Sequence, residues 1–76
     1  MTITDCLAQA RKHVLTQTLA GLPAATVIRV LLAPAVERAM IRLNHVADSG
    51  DVLATQQAAQ AWNRALKTAM QEVDHG

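Results

Sequence analysis

Val27-Ile28-Arg29-Val30-Leu31-Leu32-Ala33-Pro34-Ala35-Val36 carries one charge in ten residues, and its proline sits inside a pattern that otherwise reads as helix. A helix that is apolar all round has to be covered on most sides. Only two other helical segments are available to cover it, so part of the cover is expected from a second molecule. Pro34 removes the bond from its own nitrogen to the Val30 carbonyl and crowds that turn. No glycine or polar turn residue flanks it, which favours one kinked helix over about 24–47 rather than two short ones. Beyond the proline the pattern turns amphipathic. Val36, Ala39, Met40, Leu43, Val46 and Ala47 fall inward, with Glu37, Arg38, Arg42 and Asn44 more outward.

Upstream, Gly21-Leu22-Pro23 stops a first helix expected over about 4–20, glycine supplying the cap and proline the barrier just beyond it. Thr2 or Thr4 is placed to cap its start, and Asp5 suits the positive end of the helix dipole. Its apolar positions, Ile3, Leu7, Ala10, Val14 and then Leu15, Leu19 and Leu22, keep helical spacing while drifting round the axis. Downstream, Asp48-Ser49-Gly50-Asp51 consists of turn formers, and Asp48, Ser49 or Asp51 can cap the next helix. This third helix, over about 52–73, places Val52, Thr55, Ala59, Trp62, Leu66, Ala69 and Val73 at 3-4 spacing. That is a thin, alanine-lined seam with Trp62 at its middle, not a strict coiled coil.

These elements make one all-α domain, residues 1–76: three helices with a kinked middle one. The second and third form an antiparallel hairpin across a short loop. Pairing about that loop sets Trp62 near Val36 and Arg38, where arginine can stack on the ring. It also sets Glu72 near Arg29.

A chain of 76 residues buries only about 60% of its unfolded surface, so its stability is marginal without help. Cys6 is alone, which excludes an intrachain disulfide, and its place in the helical pattern suggests a small buried residue. Fifteen alanines, one tryptophan and no phenylalanine or tyrosine bring little area to a core. Small residues let helices approach closely, so assembly into a homodimer or larger helical bundle is the expected source of missing area. The N-terminal stretch lacks a charged region followed by an apolar run and a cleavage site. The most apolar stretch is too short to span a bilayer and contains Arg29 and Pro34. A soluble cytoplasmic protein without membrane association is the expectation.

Chemistry finds little to work with. Cys6 and His13 share a helix face but lie about 10 Å apart along the axis, too far for a thiolate–imidazole pair. The sequence has no His-x-x-x-His, Cys-x-x-Cys or Glu-x-x-His, and residues 48–51 lack the alternating oxygen ligands of a calcium loop. No catalytic, cofactor or metal site is therefore expected, and the chain reads as a non-enzyme. Basic residues form small clusters: Arg38, Arg42 and His45 in one stripe, Arg11-Lys12-His13, and Arg64 with Lys67. Such a stripe suits phosphates or the acids of a protein partner, although a net charge of +1 gives only a weak overall field.

The leading expectation is a helical protein–protein interaction module: a small adaptor, assembly factor, co-chaperone or phage-type inhibitor. Val27, Val30, Leu31, Pro34 and Trp62 would form its interface, with itself and with another protein. The alternative is a small nucleic-acid-binding regulator using Arg38, Arg42 and His45.

Overall fold

The computed structural model describes residues 2–75, with backbone alone for residues 74 and 75. Four helices account for nearly all of it, and no strand occurs among the described residues. They are α1 (Ile3–His13), continued by a π-helical turn (Val14–Thr18), then α2 (Ala24–Leu31), α3 (Pro34–Asp48) and α4 (Val52–His75).

The expected kinked helix is two helices. Proline's ring disfavours helical backbone at the residue before it, and Ala33 is extended, with φ −60° and ψ 133°. Any L-residue adopts that conformation, so the break needs no glycine or polar turn residue. One non-helical residue suffices because Pro34 is well suited to start the next helix, where no amide hydrogen is required of it. The Ala33 amide donates to the Val30 carbonyl at 3.2 Å, closing α2, and the Glu37 amide donates to Ala33 at 3.0 Å, opening α3.

The other boundaries obey local signals. Thr2 caps α1 in a reciprocal box: the Asp5 amide donates to Thr2 Oγ1 at 3.1 Å, and the Thr2 amide to Asp5 Oδ2 at 3.3 Å. Asp51 caps α4, accepting from the Ala54 amide at 3.0 Å. Gly21 and Gly50 hold φ at +79° and +82°, the left-handed conformation that ends a helix most easily at glycine.

The end of α1 departs from its expected regularity. At about 100° per residue, an α-helix would set Leu19 about 140° round from Val14. Instead the Leu19 amide reaches back five residues to the Val14 carbonyl at 2.8 Å, in a widened turn. Val14, Thr18 and Leu19 are all buried as a result, while Leu15, expected on the apolar stripe, is 67% exposed.

The core is organised on α4, which packs against every other helical element and most extensively against α3. All seven positions of the expected seam are buried or half-buried, from Val52 through Thr55, Ala59, Trp62, Leu66 and Ala69 to Val73. Thr55 is fully buried, and its hydroxyl donates to the Asp51 carbonyl at 2.7 Å. Val14, Leu19, Val30, Val36 and Leu43 pack on this seam from the other elements. Trp62 is buried among them, and its indole N–H has no hydrogen-bond partner among the described residues. Neither expected pairing forms among the described residues: Arg38 makes no ring contact with Trp62, and Arg29 and Glu72 are exposed and unpaired.

Trp62→Ala should cost about 3–5 kcal/mol, comparable to the whole stability of so small a domain. Trp62→Phe should cost much less, because it removes a donor whose unpaired burial costs about 1–3 kcal/mol; urea unfolding of the two variants would compare them, and equal losses would contradict this. Ala33 gives α3 no side-chain cap, so Ala33→Ser should stabilise by about 0.5–2 kcal/mol, read as a raised melting temperature.

Candidate functional site

α2 is eight residues long with Arg29 as its single charge. Its inner side is set by Val30, which is fully buried in the core, and by half-buried Val27. On its outer side Ile28, Leu31 and Leu32 stand at i, i+3 and i+4, one helical face, with 57%, 42% and 72% of their surfaces exposed. Exposed Ala24 and Ala25 extend this face at one end, and Pro34 and Ala35, which open α3, are also exposed. Among the described residues, the other exposed large aliphatic side chains, Leu15, Ile41 and Leu53, lie one each on other elements.

The expected interface residues therefore divide. Leu31 and Pro34 lie on the surface, and Val27 is half-buried at its margin. Val30 and Trp62 are core residues, at 0% and 4% exposure, and are withdrawn from the surface. Their side chains already fill the space between α2, α3 and α4, so no partner reaches them in this fold. Ile28 and Leu32 belong to the face although the sequence reading does not single them out. The spacing identifies them only once the inner side is known: with Val27 and Val30 inward, residues 28 and 32 fall on the outer side and residue 31 between.

Arg38, Arg42 and His45 are all exposed along α3, with exposed Ile41 in their midst. No ion pair engages either arginine among the described residues. Arg11, Lys12 and His13 on α1 and Arg64 and Lys67 on α4 are likewise exposed.

A groove of about 590 Å³ lies between α1 and α4. Cys6, Gln9 and His13 line it from one side, Gln56, Gln60 and Asn63 from the other. The wide turn after α1 anchors one end, because Thr18 Oγ1 donates to Asn63 Oδ1 at 2.6 Å. Cys6 is 5% exposed, as its position in the apolar pattern implied. The lining offers amides, one imidazole and one thiol, with no carboxylate to orient the imidazole. Nor do three or more acidic, cysteine or histidine side chains converge as metal ligands among the described residues. No helix among these residues is long and apolar enough to cross a membrane.

A double-mutant cycle on Thr18→Val and Asn63→Leu, read by urea unfolding, should give a coupling energy of about 0.5–1.5 kcal/mol. Strictly additive losses would mean that this hydrogen bond does not hold the wide turn on α4. No protein-family model matches the chain, and no curated protein or solved structure matches it either.

Proposed function

We propose that this chain is a non-enzymatic helical protein–protein interaction module that works through the outer face of α2. The observation that carries the reading is the exposure of Ile28, Leu31 and Leu32 on one face of a short helix. An isolated exposed leucine is ordinary, whereas a contiguous apolar patch on a small chain marks a contact surface. Fully burying such side chains yields about 1.5–3 kcal/mol each, and these are already partly covered. Association costs about 4–15 kcal/mol, so this face alone supports a reversible contact and not a permanent one. An adaptor, assembly factor, co-chaperone or inhibitor that captures and releases its partner fits that energy scale.

A second reading rests on Arg38, Arg42 and His45, exposed in one stripe with no acidic partner among the described residues. Such a stripe suits a nucleic-acid backbone. Two arginines neutralising two phosphates would give a log–log salt slope of about −2, and Arg38→Gln with Arg42→Gln would remove it. Apolar docking by α2 would respond little to either change.

A photo-crosslinking residue placed at Leu32 or, as a control, at exposed Gln17 separates these readings in the cells that make the protein. The Leu32 position should give protein adducts several-fold stronger than the Gln17 position. Absence of adducts at Leu32, with nucleic-acid adducts from the same residue placed at Arg42, would replace the first reading by the second.

A further inference from the structure

We infer that the wide turn after α1 is one of two registers open to residues 14–19, and that the second is a regular α-helix in which Leu19 leaves the core and joins Leu15 on one exposed face. In the folded chain Val14, Thr18 and Leu19 are buried, while Leu15 is 67% exposed. Along the chain, however, Leu15, Leu19 and Leu22 stand at i, i+4 and i+7, the spacing of one face on a regular helix. The wide turn breaks that spacing, so the order that these leucines encode is not the one the fold displays. Single turns of this kind are uncommon and recur at functional positions in helices.

The two registers differ by one residue. A turn closed over five residues instead of four sets every later residue one place back along the helix. The Leu19 amide donates to the Val14 carbonyl at 2.8 Å, a bond that belongs to the Thr18 amide in a regular helix. In the regular register Thr18 therefore takes the place of Leu19, and Gln17 takes that of Thr18. Much of what the wide turn satisfies is kept. Thr18 Oγ1 donates to Asn63 Oδ1 at 2.6 Å, and the carboxamide of Gln17, exposed in the wide register, brings N–H donors to the same place. The Thr16 hydroxyl donates to the Lys12 carbonyl at 2.7 Å, a bond that threonine also makes within regular helix. The following turn contains Gly21 at φ +79°, where the backbone is free enough to absorb the rotation.

One term separates the registers clearly. The wide turn buries Leu19, at 6% exposure, where the regular helix buries the smaller Thr18. Against this stands the relief of an unfavourable helical turn. The terms oppose each other, which makes the regular register a minor state of about 1–10%. Its consequence is at the surface. With Leu19 buried, Leu15 is a single exposed leucine; with Leu19 outside, the two are neighbours one turn apart. Register thus governs how much apolar surface the end of α1 presents.

The test is amide saturation-transfer NMR on the full chain, which detects minor states exchanging in milliseconds. Wild type should show exchange at residues 14–20 and at the Asn63 side-chain amide, with minor-state shifts of regular helix. Leu19→Ala, which removes what favours the wide turn, should raise the minor population several-fold. Exchanging the two residues, Thr18→Leu with Leu19→Thr, puts leucine where the regular register buries it and should make that register the major one. The amide of residue 19 then shows its hydrogen-bond coupling to carbonyl 15 instead of carbonyl 14. A wild-type chain without exchange at these residues overturns the inference. So does a folded double exchange that keeps the coupling from 19 to 14. If the double exchange fails to fold, a minor population left unchanged by Leu19→Ala overturns it in the same way.

Discussion

The ring of Pro34 crowds the residue before it, and the arrangement of the rest of the chain depends on that clash. The proline stops α2 at Leu31 and pushes Ala33 into extended backbone. It then serves as the first residue of α3, where the missing donor costs nothing. An unbroken helix would keep residues 24–48 on one axis, with residues on either side of the proline tied to a single phase. Separated, α2 and α3 each set their own phase, so that Val30 and Val36 both reach full or nearly full burial. This independence also turns Ile28, Leu31 and Leu32 outward together.

The second constraint is scarcity of bulk. With fifteen alanines and one aromatic residue, the core must be drawn from a few large side chains brought into one place. α4 provides that place by packing against every other element. Its thin seam admits Val14, Leu19, Val30, Val36 and Leu43 around Trp62 and Leu66. The same scarcity accounts for the wide turn after α1, which brings Val14 and Leu19 to the core together although regular helix would separate them. One indole N–H is left unpaired in this core, a cost offset by the area that tryptophan contributes.

Few large side chains inside and several outside give the molecule its functional character. Aliphatic groups on α2 lie open, the basic residues of α3 and α4 are exposed, and the groove beside α1 is lined by amide side chains with Cys6 and His13. The binding role proposed for this chain rests on these surfaces. Ile28, Leu31 and Leu32 lie outside the core although large aliphatic side chains are scarce in this chain.

Sequence alone determined the helical class, a short set of cap candidates from which the structure uses Thr2 and Asp51, the glycine stops, the inward seam of α4 and the exposure of Arg38, Arg42 and His45. Each is a local matter: a capping side chain meets an amide three residues away, a left-handed turn needs glycine, and a charge stays in water because burial is costly. Tertiary structure decided the rest. Val27, Ile28, Val30, Leu31 and Leu32 are alike in hydropathy, so no pattern within them distinguishes core from surface. Only the packing of α2 on α4 chose Val30 for the interior and left Ile28 and Leu32 outside. Val14, Leu15 and Leu19 are equally alike, and the wide turn that exposes Leu15 is joined across to Asn63, forty-five residues along the chain from Thr18. Burial depends on which surfaces meet, and that is settled between distant segments.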